Sequence, residues 1–291
     1  MLLTACLPQR RERAVMAAEI SFSVETARGS RTLSVTYERR GAGEPLLLLH
    51  GIGHHWQAWE PVMGILAADR DVIAVDLPGF GASPALPDGL PYDLATVSTV
   101  LDAFCRALGV ERPHVAGNSL GGLLALELGR EKLVRSVTAL SPAGFWSEAE
   151  RRYAFTTLRA MRVGARSLPL PVIERLSRSA AGRTALVSTI YARPGRRSPE
   201  AAVAETRALR GATGFHQTLA AGGGVLFGDD VRDVPVTIAW GTKDRLLLRR
   251  QGVRAKYVIP RARLVRLPGC GHVPMSDDPA LVARVLLDGS A

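Results

Sequence analysis

The sequence predicts an α/β fold: a mostly parallel, doubly wound β-sheet flanked by helices, with a helical segment inserted as a cap. Three observations predict it. Short apolar runs at residues 45–49, 71–75, 114–116 and 134–140 alternate with stretches of helical spacing, the order that builds parallel strands joined by crossover helices. The alternation stops at Pro142 and resumes at Val234. In between, residues 146–212 read as helical, arginine-rich and interrupted by Pro169, Pro171, Pro194 and Pro199. The expected organisation is therefore a core of residues 18–145 and 213–291, a helical cap over 146–212, and a disordered tail over 1–17.

The elements follow in order. The tail carries Leu3-Thr4-Ala5-Cys6, which has the look of a lipoprotein cleavage box. No basic or apolar region precedes it and the charges Arg10, Arg11, Glu12 and Arg13 follow it, the reverse of a secretory signal. Met16 is an alternative start. Residues 20–25 and 31–39 alternate apolar and polar side chains about Gly29-Ser30, as an antiparallel hairpin does. The run at 45–49 is apolar throughout, as expected of a strand buried on both faces; it ends at His50-Gly51-Ile52-Gly53, with a helix expected near residues 57–66. The strand at 71–75 ends in a loop rich in turn residues, Asp76-Leu77-Pro78-Gly79-Phe80-Gly81-Ala82-Ser83. Leu94, Val97, Val100, Leu101, Phe104 and Leu108 mark a helix within 92–108. After the inserted segment come a strand at 234–240, a helix at 250–257 and a last strand at 263–267. The closing helix starts at Ser276-Asp277-Asp278-Pro279, with proline in its first turn.

Composition limits the function classes. The 291 residues are 47% hydrophobic and 22% charged, enough for a sizeable core. No apolar run approaches the roughly 18–20 residues of a membrane span. Cys6, Cys105 and Cys270 show neither disulfide nor metal-ligand spacing, which fits a reducing, cytoplasmic compartment. The net charge is +10, and residues 146–212 hold thirteen arginines against five glutamates. That excess reads either as a solvated surface or as a field drawing in an anionic small-molecule substrate. It lacks the aromatic interleaving of a nucleic-acid surface. Monomer and homodimer both stay open.

The chemistry centres on Gly117-Asn118-Ser119-Leu120-Gly121-Gly122, between a buried strand and an apolar helix. A serine on a sharp strand-to-helix turn has its hydroxyl pushed out at the carboxyl end of the sheet, and glycines two residues either side relieve the crowding. An ordinary helix N-cap is the alternative reading of Ser119. A serine hydroxyl is a weak nucleophile and needs a base. His272, in a loop just past the last strand, is the candidate. A carboxylate must fix the tautomer of that base, and Asp244, just past the preceding strand, is placed to do so; Asp229, Asp230 and Asp233 precede that strand and are weaker rivals. An oxyanion site needs two backbone N–H groups: Leu120 at the start of the helix, and Ile52, with Gly53 as the alternative. Asn118, Phe145, Trp146, Met161 and Met275 are candidates to line the substrate pocket, with core packing as the competing role. His54-His55 lacks a third metal ligand at suitable spacing, so no metal is expected, and both read as surface or pocket-rim residues. His50 reads as a structural residue of the oxyanion loop, Asp76 as a tie for its own loop, and Cys270 as inert.

Taken together, His50-Gly51-Ile52-Gly53, the loop 76–83, the segment 117–122, Trp240-Gly241-Thr242-Lys243-Asp244 and Gly269-Cys270-Gly271-His272 resemble the α/β-hydrolase family, in the branch with a helical cap, over roughly residues 20–291. The resemblance implies Ser119 as nucleophile, Asp244 as acid, His272 as base, no cofactor, and an active site between core and cap. Dehalogenase-like and epoxide-hydrolase-like members carry aspartate at the nucleophile position; serine points to acyl chemistry on a carbonyl. Gly-Asn-Ser-x-Gly-Gly also resembles enzymes that cleave carbon–carbon bonds in ring-fission products, which commonly have an aromatic residue after the histidine. Val273-Pro274-Met275 follows here, which favours a carboxylic ester, with carbon–carbon cleavage and cofactor-free peroxidase or perhydrolase chemistry as alternatives.

Overall fold

Leu46, Leu47, Leu48 and Leu49 are at most 1% exposed, as a strand must be when helices cover both of its faces. In the computed structural model, which describes residues 17–26 and 29–291, they form β3 (Glu44–Leu49) at the interior of one eight-stranded sheet. The other strands are β1 (Ala18–Thr26), β2 (Gly29–Arg40), β4 (Arg70–Val75), β5 (His114–Asn118), β6 (Ser136–Leu140), β7 (Val236–Gly241) and β8 (Arg263–Leu267). Their order is β1-β2-β4-β3-β5-β6-β7-β8. β1 and β2 form the expected antiparallel hairpin and β2 runs antiparallel to β4; every pairing from β4 to β8 is parallel. Tail residues 1–16, Cys6 among them, lie outside the described residues, and Ala17 already packs on the core.

Two helical layers flank the sheet. α1 (Glu60–Leu66) packs against α10 (Pro279–Gly289), α2 (Leu94–Ala107) against α3 (Leu120–Arg130), and α9 (Arg250–Val258), the helix expected at 250–257, against β7 and β8. The helix expected over 57–66 divides: Trp56–Trp59 is a 3-10 turn, and α1 begins at Glu60 with proline in its first turn. Asp278 caps α10 by accepting from the Leu281 N–H at 3.0 Å, with Pro279 beginning the helix.

Between β6 and β7 run α4 (Glu148–Ser167), α5 (Leu170–Ser177), α6 (Ala180–Val187), α7 (Pro199–Gly211) and α8 (Phe215–Ala221). Two of the breaks fall at prolines: Pro169 and Pro171 open α5, and Pro199 opens α7. Helix α8 was not expected. It is short, and the Gly222-Gly223-Gly224 run behind it masks its periodicity in the sequence.

The arginines of this segment largely brace it. Arg210 donates to the carbonyls of Ala165 and Leu168 at the end of α4, at 3.1 and 2.9 Å. Arg183 donates to Ser177 O at 2.7 Å and Gly195 O at 2.8 Å. Arg162, 5% exposed, donates to Leu209 O and lies 4.8 Å over the Phe215 ring. Cationic donors at helix carbonyl ends meet both the orphan acceptors and the dipole. Short, proline-broken helices have many such ends, which accounts for the local density of arginine.

Leu48→Ala, at a position with 0% exposure, should destabilise the protein by about 2–5 kcal/mol through lost transfer energy and a residual cavity. Denaturant melts would read this as a lower midpoint at unchanged slope.

Candidate active site

Ser119 stands between β5 and α3 at φ 57°, ψ −114°, a backbone conformation that costs a non-glycine residue on the order of 1–3 kcal/mol. Its neighbours hold it there. α3 lies so close to the sheet that a Cβ on Gly117 would collide with the Gly121 carbonyl, and one on Gly121 with the Leu49 carbonyl. The Ser119 N–H donates to Leu140 O at 3.0 Å, and Ser119 O accepts from Leu123 and Ala143 at 3.0 and 3.1 Å. The side chain makes no capping bond to the helix, so the ordinary N-cap role is not the one it fills.

His272 and Asp244 meet across the ends of β7 and β8. His272 Nδ1 and Asp244 Oδ2 are 2.8 Å apart, and the Asp244 side chain is fully buried. Oδ1 of Asp244 accepts from the Leu246 and Leu247 N–H groups, each at 2.9 Å. An anionic carboxylate so held is an acceptor at every contact, so Nδ1 carries the proton and Nε2 is left as the basic nitrogen. Nε2 is buried and has no hydrogen-bond partner among the described residues. Asp233, one of the weaker rivals, instead pairs with Lys132 at 2.6 Å on the surface.

Ser119 and His272 open onto the same cavity of about 270 Å³, between the carboxyl ends of the strands and the inserted helices. Ile52, Gly53, Asn118 and Met161 also line it, with Leu158, Leu168, Leu186, Ile190, Leu209 and Leu246 making most of the remaining wall apolar. Among the described residues, neither the Ile52 nor the Leu120 N–H donates to a loop or turn carbonyl. The Leu120 side chain itself faces a different, minor pocket.

Three expected lining residues lie elsewhere. Phe145 packs on Phe227, Trp146 on Phe155, and Met275 is fully buried; none borders the cavity. Each follows a site residue or a strand end closely in sequence, and the chain turns it into the core. Asn118 does border the cavity, and its Nδ2 ties the β5–α3 turn to the His272 loop by donating to Leu140 O at 3.1 Å and His272 O at 2.9 Å. None of the thirteen arginines reaches the cavity wall among the described residues.

The surrounding loops are held by buried polar groups. His50 Nε2 accepts from the Leu77 N–H at 3.0 Å, so its Nδ1 is the donor to Gly51 O at 2.8 Å. Burial lowers its pKa to about 3. Asp76 accepts from Trp56 N–H at 2.6 Å and Ala82 N–H at 2.8 Å; burial raises its pKa to about 6. Of the two places expected for His54, it takes the pocket: it lines the cavity, and burial drives its pKa well below the ordinary value. The Cys270 thiol is fully buried, and burial pushes its pKa to about 12, which leaves it unreactive. Among the described residues no cluster of His, Cys, Asp or Glu is placed to hold a metal ion, and no helix is long and apolar enough to cross a membrane.

One residue was read only as part of a helix start. Asp277 accepts from Gly271 N–H at 2.8 Å and Ala192 N–H at 3.1 Å through Oδ2, and from Arg193 N–H at 3.0 Å through Oδ1. With Val273 N–H donating to Ile190 O at 3.0 Å, both sides of His272 are strapped to the inserted segment. An aspartate two of whose three partners lie 84 and 85 residues away in the chain leaves no local signal of that role.

Residues 46–285 match the alpha/beta hydrolase family model. An uncharacterized protein of Mycobacterium tuberculosis is 29% identical over 256 residues, covering 82% of this chain and 73% of that one. The pimeloyl-[acyl-carrier protein] methyl ester esterase of Aeromonas hydrophila is 36% identical over 124 residues, 40% of this chain and 46% of that one. Among solved structures, a thermophilic esterase from Thermogutta terrifontis superposes with a TM-score of 0.74 over 94% of this chain and 97% of that one, at 18% identity.

Two predictions follow from the loop geometry. Asp277→Ala strands three backbone N–H groups and should cost at least about 2 kcal/mol, read as a lower thermal midpoint. Acidification should also destabilise the fold. Below about pH 6.5 the unfolded chain protonates histidines that the folded chain keeps neutral, so stability falls from that pH toward about 3 for His50. His54, His55 and His114 act in the same direction. Asp76 and Glu205, with raised pKa values, oppose it. Thermal melts at pH 7.5 and pH 5 should show the lower midpoint at pH 5.

Proposed function

We propose, from the premise that this chain belongs to the alpha/beta hydrolase family, that it is a serine hydrolase cleaving a small or medium carboxylic ester through an acyl-enzyme. The observation that carries this reading is the 2.8 Å His272–Asp244 contact, which leaves Nε2 unpaired beside the cavity that Ser119 shares.

In this mechanism Ser119 Oγ attacks the ester carbonyl while His272 Nε2 takes its proton. The Asp244 carboxylate stabilises the imidazolium, and the N–H groups of Leu120 and Ile52 receive the oxyanion. His272 then protonates the departing alcohol. Water, activated by the same nitrogen, releases the acid and restores Ser119. The hydrogen bond from Oγ to Nε2 forms as substrate binds, when such contacts tighten. Asp277 and Asn118 act as positioning residues for the base loop, and the inserted helices serve as the cap that shapes the pocket.

The apolar wall suits an aliphatic or aromatic acyl group. The ester activity of the Aeromonas hydrophila relative supports the same choice. A ring-fission dienoate carries a carboxylate, and among the described residues no arginine lines the cavity to receive it; Arg197 is already engaged by Glu205 and Ser276. This makes carbon–carbon cleavage the weaker reading.

A fluorophosphonate probe should label the wild-type protein at Ser119 and leave Ser119→Ala unlabelled; labelling retained in that variant would remove the mechanism. Asp244→Asn should fold and lower kcat by roughly 10³–10⁴-fold, the scale of losing the correct tautomer, in a p-nitrophenyl ester assay. A panel of p-nitrophenyl esters of increasing acyl length, run beside a dienoate, separates the two reaction classes.

A further inference from the structure

One part of the cavity wall is polar and unfinished. Glu205, on α7, lines the cavity and is 6% exposed. Its Oε1 is saturated: it accepts from the Tyr191 hydroxyl at 2.7 Å and from Arg197. Its Oε2 is buried with no partner among the described residues. Leaving a buried carboxylate oxygen unpaired is unfavourable, and the fold could have avoided it with an apolar side chain among the leucines around it. The supporting layer is built as well. Arg197 lies 4.7 Å over the Tyr191 ring, and its other Nη donates to Ser276 Oγ at 2.6 Å. The carboxylate is therefore fixed in orientation, with Oε1 turned to two donors and Oε2 left over.

We infer that Glu205 Oε2 is a specificity element that accepts a hydrogen bond from an uncharged donor, a hydroxyl or amide N–H, on the part of the substrate occupying the cavity. This rests on the ester-hydrolase reading above and narrows its substrate class to esters bearing such a donor. Charge decides between donors. Arg197 already neutralises Glu205, and His54, also lining the cavity, is held neutral by burial. Among the described residues the wall thus carries no net charge to attract an ammonium group, and no free cation for a carboxylate.

The assay uses methyl esters of six-, seven- and eight-carbon acids, each with a terminal hydroxyl, methoxy, amino or unsubstituted end, followed by pH-stat. Wild-type protein should prefer the hydroxyl over the methoxy ester by about tenfold or more in kcat/KM at one of these lengths, since methoxy can only accept. The amino ester should be no better than the unsubstituted one. Glu205→Gln supplies a readout that a merely structural role would not move. Tyr191 and Arg197 both donate, so the amide oxygen must stay at the Oε1 position, and the amide N–H₂ replaces Oε2 with a donor. The hydroxyl-over-methoxy ratio should then fall to about one or invert, with Ser119 still labelled by fluorophosphonate. Equal wild-type turnover of hydroxyl and methoxy esters at every length, or a ratio unchanged in Glu205→Gln, would overturn the inference while leaving the nucleophile intact. Absence of labelling in the wild type would instead remove the underlying mechanism.

Discussion

The close approach of α3 to the ends of β3 and β5 is the constraint from which the site follows. Only glycine at 117 and 121 lets helix backbone meet strand backbone at that separation. The approach forces the connecting residue into a left-handed conformation, and that residue is Ser119. The strain is local and the compensation is not: a hydrogen bond to β6, the packing of α3, and the His50-Gly51 loop lying against the serine all hold the turn. Relaxing the turn would require moving the helix off the sheet.

A second layer of organisation consists of carboxylates that gather backbone N–H groups. Asp244, Asp76 and Asp277 each fix a loop at the carboxyl edge of the sheet, and each takes two or more backbone donors. Buried acceptors of this kind hold a loop more firmly than apolar contacts alone, because breaking them strands donors in a dry environment. Asp277 also joins two regions that the sequence separates, the His272 loop and the segment between α6 and α7. Large displacement of the inserted helices would therefore disturb the loop that carries His272.

The positive charge acquires a different meaning in three dimensions. A +10 chain with arginine concentrated in one segment suggests attraction of anions over the surface. Most of the buried or half-buried guanidinium groups there are instead bound to helix-end carbonyls, and Arg197 is bound to Glu205. Charge used internally in this way braces short helices and shapes a pocket without making the pocket cationic.

The sequence by itself determined the order of the strands, the mostly parallel sheet, and the five loop motifs at the sheet's carboxyl edge. These are legible because they rest on local chemistry: apolar runs of strand length, helical spacing, prolines and glycines at turns, and a serine between glycines. Only the tertiary structure decided which side chains line the cavity. Phe145, Trp146 and Met275 lie near site residues in the chain and turn away from the cavity, while Glu205, which lines it, has no local pattern to mark it. The reason is physical. A side chain's neighbours in a pocket come from helices whose packing depends on several distant breaks and braces at once, and no periodicity of a single segment encodes that sum.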